Sequence, residues 1–164
     1  MQEVDVEQAY QRYFPVVRDK CSRMLKDPAE AQDVAQETFT RLWSSRASFH
    51  NQEGIAAWIY QTSTRLAVDR YRRLSKAGVV AFPVDELLSR HNDNPESLVG
   101  SRRQLADLGR RTPAKELEAA VLSRLDGLNH DEIAQVMATS DRSVRRLLAR
   151  FDQRLVRWRA EESA

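Results

Sequence analysis

Apolar side chains recur at Tyr10, Tyr13, Phe14, Val17, Cys21, Met24 and Leu25, a spacing that predicts an amphipathic helix ending near Asp27. A second helix is expected at once. Asp27 can cap free amides, Pro28 suits the first helical position, and Val34, Ala35, Thr38, Phe39, Leu42 and Trp43 form its buried stripe. Arg46 to Gly54 breaks the pattern. Ile55, Trp58, Ile59, Thr62 and Leu66, continued by Ala67, Tyr71 and Leu74, restart it in a third helix reaching about Lys76.

Periodicity fails between Gly78 and Ser97, where Gly78, Pro83 and the run Asn92, Asp93, Asn94, Pro95 supply turn chemistry. This places a linker at 78–97 between domains at 1–77 and 98–164. Its stretch Val79 to Phe82 is too apolar for a freely solvated tether and is expected to dock. Beyond it, Leu98, Leu105 and Leu108 suggest a helix closed by Gly109; Thr112 and Pro113 open another with Leu117, Ala120, Val121 and Leu125, which Gly127 ends as a left-handed cap. Asn129 then caps a short helix with Glu132 in the capping-box position, and Ser140 caps the last, running to about Arg159. No useful period-2 run appears, so the fold expected is all-α, in two small helical domains.

Composition narrows the functional classes. The net charge of +2 comes from 26 basic and 24 acidic residues, so a polyanion contact must rest on local clustering. One cysteine, Cys21, excludes an internal disulfide and any multi-cysteine metal site, and its place on an apolar stripe makes it core filler. His50, His91 and His130 lie in separate segments. Neither a cofactor nor a metal is expected, and there is no phosphate loop, nucleophile elbow or acid–base set, which makes an enzyme a remote reading. No stretch approaches a membrane span and no leader pattern is visible, so a cytoplasmic, reducing location is expected.

The clustering is at the C-terminus. "LNHDEIAQVMATSDRSVRRLLARF" supplies a short helix, a turn at Ala138 to Ser140, and a second helix with Val144, Leu147, Leu148, Phe151, Leu155 and Trp158 on one apolar face. That is the pattern of a helix-turn-helix over 129–159, whose free face meets DNA. Arg142, Arg145 and Arg146 fall in the early turns, where base edges are read, with Ser140 and Ser143 beside them; Arg150, Arg154 and Arg157 continue toward flanking phosphates. The competing reading is a solvated arginine face on a structural helix, which the preceding helix, cap and turn disfavour.

In the N-terminal half, residues 27 to 40 carry Asp27, Glu30, Asp33 and Glu37 and no base, so Asp33, Gln36 and Glu37 share one polar face opposite the core stripe. Arg65, Asp69, Arg72, Arg73 and Lys76 follow helical spacing on one side of the third helix. Two basic faces and an acidic one suggest a protein that grips DNA at two points and a protein partner at a third.

Here the sequence resembles a known family. "DPAEAQDVAQETFTRLW" followed by "FHNQEGIAAWIYQTSTRLAVDRYRR" looks like region 2 of bacterial sigma factors, and the C-terminal run looks like region 4. The short chain with these two regions and a brief linker resembles the extracytoplasmic-function class, over roughly 5 to 77 and 98 to 159. The resemblance implies that Asp33, Gln36 and Glu37 dock on the clamp helices of the largest subunit of core RNA polymerase. It implies that the loop bearing Phe49, with Arg65, Asp69, Arg72 and Arg73 on the next helix, binds and melts the minus-10 element, where extruded bases need stacking and the separated backbone needs positive charge. Trp58 stands at that helix start but also fits the apolar stripe. Ser140, Arg142, Ser143, Arg145, Arg146 and Arg150 would meet the minus-35 element. An anti-sigma protein of unknown identity is implied as a regulatory partner.

Two departures carry expectations of their own. Gln32 stands where the family usually has an acid, which removes one charge from the polymerase face. "ATSDRSVRR" is richer in arginine and poorer in glycine than the common form, which predicts an altered promoter preference or another partner for region 4. Two other readings stay open at this point: a helix-turn-helix regulator that binds operators without polymerase, and a sigma-like interaction protein that sequesters a regulator.

Overall fold

A computed structural model describes residues 4–77 and 108–163, with side chains to 161, and every described element is helical. These are α1 (Val6–Leu25), α2 (Pro28–Ser45), a single 3-10 turn (Arg46–Ser48), α3 (Ile55–Lys76), α4 (Ala114–Arg124), α5 (His130–Met137) and α6 (Asp141–Ser163). The expected linker at 78–97, its Val79 to Phe82 stretch and the helix start near Leu98 and Leu105 lie outside the described residues. The chain divides into two compact units between Ala67 and Val68, within α3. No helix of the described residues is long and apolar enough to cross a membrane.

In the first unit, α1 is capped by the Asp5 carboxylate, which accepts from Gln8 N at 2.9 Å. It ends on Lys26 in the left-handed region (φ 56°), and Asp27 restarts the chain by accepting from Ala29 N and Glu30 N at 2.8 and 3.2 Å. So short a connection makes α1 and α2 antiparallel neighbours. Phe14, Val17, Cys21 and Met24 pack with Val34, Ala35, Phe39 and Leu42 in a buried core, to which α3 adds Ile55, Ile59 and Ala67. Burial of each larger side chain stabilises the unit by about 1.5–3 kcal/mol.

Two residues of the expected stripes are not covered. Tyr10 is 41% exposed and Trp43 56%, because both sit at the open end of the α1–α2 hairpin. Trp43 instead carries the Arg46 guanidinium 3.9 Å above its ring. Lys20, which no hydrophobic pattern would place inside, is fully buried; its ammonium donates to Ser63 Oγ at 2.8 Å and Thr64 Oγ1 at 3.1 Å and lies 5.5 Å from the Tyr60 ring. Those contacts offset part of the desolvation cost.

In the second unit, α4, α5 and α6 enclose Leu117, Ala120, Val121, Ile133, Val144, Phe151 and Leu155. Gly127 takes φ 72° as expected, and Leu128 N returns to Leu122 O at 3.1 Å. Two expectations near the unit's entrance are corrected. Gly109 does not close a helix: residues 108–111 are helical and Gly109 is buried within them. Its lack of a side chain serves packing, since a Cβ there would fall 1.9 Å from the Tyr71 hydroxyl oxygen. Thr112 does not cap α4 either, because its hydroxyl donates back to Leu108 O at 2.7 Å; Pro113 holds the cap position, without a side-chain bond.

Burial pushes the Tyr71 hydroxyl from its ordinary 10.0 up to about 12, against the opposing influence of a Ser75 hydrogen bond and the charges of Arg110 and Arg72. A folded-state pKa above the unfolded one favours the native protein while the phenol keeps its proton. That stability is fully present below pH 10 and is lost as pH rises from about 10 through 12, amounting to about 3 kcal/mol. Chemical denaturation of the wild type between pH 9 and 12 should show this decline, and Tyr71→Phe should remove its tyrosine component.

Candidate nucleic-acid and partner interfaces

The turn between α5 and α6 is built by three local devices. Asn129 and Glu132 exchange side-chain and backbone hydrogen bonds at 2.8 and 3.0 Å, the full capping box. Ala138 then takes the left-handed conformation (φ 52°), which costs a non-glycine residue about 1–2 kcal/mol and explains how a turn without glycine still reverses here. Finally Ser140 Oγ accepts from Ser143 N at 3.1 Å and donates to Ser143 Oγ at 3.0 Å. Ser140 and Ser143 therefore start the helix before doing anything else.

From that start α6 buries Val144, Leu148, Phe151 and Leu155 and turns the opposite face outward. Arg142, Arg145, Arg146 and Arg150 are all exposed there. Arg142, Arg146 and Arg150 follow one another at four-residue steps along one edge. Arg145 stands apart, paired with Asp141 at 2.7 Å while its side chain stays 68% exposed. Arg154 departs from its expected place toward phosphates: its Nε and Nη2 donate to the buried Glu116 carboxylate at 3.1 and 3.4 Å. A second tie between α4 and α6, Arg124 to Asp152, lies with Arg124 over the Phe151 ring at 5.3 Å. Neither pair announces itself in the sequence, because the partners are far apart and on different helices.

On α3, Arg65, Asp69 and Arg73 are exposed on one side, as the spacing predicts. Arg72 shares that side but is half-buried, and its guanidinium donates to the Thr112 carbonyl within the second unit. Phe49 is half-buried at the end of the loop's 3-10 turn, its ring 5.9 Å from Trp58 in an edge-on pair, so Trp58 supports the loop. Gln52 anchors the same loop, accepting from Asp5 N at 3.2 Å and donating to Asp5 O at 3.3 Å. Sequence periodicity had no means of finding that contact.

On α2, Asp33 and Gln36 are exposed and Glu37 is paired with Arg41 at 2.7 Å, one turn on. The polar face expected of Asp33, Gln36 and Glu37 is present on α2, tempered by the Glu37–Arg41 ion pair.

Fold and surface together define a class: a two-unit helical protein with a helix-turn-helix on one unit and a second basic helix preceded by an acidic one. The sequence profile of sigma-70 region 2 matches residues 9–77, and that of sigma-70 region 4 matches residues 113–150. The chain belongs to the sigma-70 family, in its extracytoplasmic-function class. It is 29% identical over 147 residues to the ECF RNA polymerase sigma factor SigE of Mycolicibacterium smegmatis, an alignment covering 87% of this chain and 56% of that relative. It is 26% identical over 151 residues to SigM of Bacillus subtilis, covering 92% of each. The chain thus spans little more than half of SigE and nearly all of SigM. Two solved structures share the fold: CnrH in complex with the cytosolic domain of CnrY (TM-score 0.60, 19% identity, 92% of this chain and 84% of that one) and the sigma factor RpoE in complex with the anti-sigma factor NepR from Bartonella quintana (TM-score 0.55, 18% identity, 94% and 96%).

Proposed function

We propose that this chain is the promoter-specificity subunit of a bacterial RNA polymerase: it binds the core enzyme, directs it to promoters with two recognised elements, and begins transcription without chemistry of its own. The observation that carries this is the order of two matched regions on one chain, region 2 at 9–77 and region 4 at 113–150. A helix-turn-helix regulator acting without polymerase would account for the second match and leave the first without a use.

In this reading Asp33, Gln36 and Glu37 meet the clamp helices of the largest polymerase subunit. Phe49, Arg65, Asp69, Arg72 and Arg73 serve the minus-10 element, with Arg72 leaving the Thr112 carbonyl to do so. Ser140, Arg142, Ser143, Arg145, Arg146 and Arg150 serve the minus-35 element. A protein that acts with polymerase on promoter DNA does so in the cytoplasm, which is the location this reading gives it. The solved relatives bound to CnrY and NepR support an anti-sigma protein as its restraint.

The purified chain should be mixed with core RNA polymerase and a promoter library, and the run-off transcripts sequenced. Discrete start sites that vanish without the chain are expected. Start sites identical with and without it would refute the reading.

A further inference from the structure

Residues 46–54 join α2 to α3 and carry Phe49; Arg46 and Phe49 are half-buried and the rest of the loop is exposed. Its own hydrogen bonds are local. Ser48 Oγ donates to Ser45 O at 2.6 Å, Phe49 N to Arg46 O at 3.3 Å and Glu53 N to Asn51 Oδ1 at 3.1 Å, and none of these reaches beyond its own turn. Gln52 does. Its amide closes a two-bond staple on the backbone of Asp5, 47 residues earlier, accepting from Asp5 N at 3.2 Å and donating to Asp5 O at 3.3 Å. The anchor is firm, because Asp5 O also accepts from Ala9 N at 3.1 Å and the Asp5 carboxylate caps α1 through Gln8 N. Gln52 borders an open pocket of about 120 Å³ between Gln8, Arg12 and Tyr13 on α1 and Ile55 and Ala56 on α3. At this point the loop spans a gap, and among the described residues no other hydrogen bond or ion pair joins 50–54 to the start of α1. We propose that Gln52 is a positioning residue for minus-10 recognition: by pinning the loop to α1 it holds Phe49 where an extruded base is met.

The proposal rests on the reading of the chain as a sigma factor and adds to it a residue that acts through the loop. Pinning Gln52 divides the connection between α2 and α3 into two shorter spans, and a shorter span has fewer conformations to lose when an unpaired base docks. Phe49 lies on the first of them, three residues before the pin. Its edge-on pair with Trp58, centroids 5.9 Å apart, is the loop's other link to the domain. One ring contact acts as a hinge; a second link beyond Phe49 removes that hinge. A loop ordered in advance captures a base without first being ordered by it, which is how preorganisation raises affinity. Direct contact of Gln52 with DNA is disfavoured, since both ends of its amide are already engaged by Asp5.

The test uses the full chain, and holoenzyme assembled from it and core polymerase, with Gln52→Ala and with Gln52→Met, which keeps the length of the side chain and removes its hydrogen bonds. In the free chain the Asp5 amide should exchange its hydrogen about 10-fold faster in both variants, the worth of one net hydrogen bond. Holoenzyme carrying either variant should bind its preferred promoter about 10-fold more weakly. Its preference over duplexes with altered minus-10 bases should shrink by a similar factor. Preference for the minus-35 bases and affinity for core should stay at wild-type values, and the melting midpoint should fall by no more than a few degrees. A loss equal on altered and preferred promoters overturns the proposal, because a weakened fold would produce it. A lost minus-10 preference with unchanged exchange at Asp5 also overturns it, because Gln52 would then touch DNA itself. Should wild-type holoenzyme bind no promoter, the sigma reading itself falls; should it bind and both variants keep its minus-10 preference, only the role of Gln52 falls.

Discussion

Holoenzyme carrying Arg142→Ala and Arg146→Ala together should bind its promoter at least about 30-fold more weakly than wild type, because each good arginine–base pair is worth about 1–3 kcal/mol. Both side chains are exposed on the first turns of α6, where Ser140 and the buried Val144 and Leu148 fix the helix without their help. The loss should concentrate on minus-35 base changes: promoters with altered bases there, already weak for wild type, should lose less. Arg145→Ala should cost less than either, since that side chain stands off the edge that Arg142 and Arg146 share and must exchange its pair with Asp141 for the DNA. Equilibrium binding on matched and altered duplexes checks all three outcomes. An equal loss from Arg145→Ala would mean that α6 presents a different edge to the DNA.

The second large effect lies on α2. Asp33→Lys with Glu37→Lys should weaken association with core polymerase on the order of 100-fold, because like charges set against each other across an interface cost several kcal/mol. Glu37→Lys also replaces the pair with Arg41 by a repulsion one turn away, a local cost of only a few tenths of a kcal/mol. Thermal unfolding should therefore shift little while the affinity for core collapses. Fluorescence titration of labelled chain with core separates the two. Wild-type affinity in the double variant would remove this face from the interface.

How far the residues alone foretold these surfaces depends on the kind of force involved. Wherever a helix buries one stripe against a neighbour close in sequence, the pattern sufficed: α1 ends, and α2 and α3 begin and end, near the expected positions, and Asn129, Glu132 and Ser140 cap as their chemistry suggests. Exposed charges at helical spacing were equally legible, as Arg142, Arg146, Arg65 and Asp33 show. What escaped depended on partners distant in the chain. Trp43 fits an apolar stripe by spacing, yet at the hairpin's open end it stays 56% exposed, with the Arg46 guanidinium over its ring in place of apolar cover. Arg154 fits a basic stripe, yet Glu116 on another helix claims it. Gly109 resembled a helix stop because glycine weakens helices, whereas its use is the room it leaves for Tyr71. Periodicity reports which side of a helix is apolar; it does not report what lies opposite.

Whether this chain opens DNA as part of a polymerase, as proposed, is tested most directly by permanganate reactivity of unpaired thymines on a promoter it selects. Reactive thymines are expected near the start site when chain and core are both present, and none with either alone. Protection of the duplex by the chain alone, with no thymine becoming reactive when core is added, would contradict it.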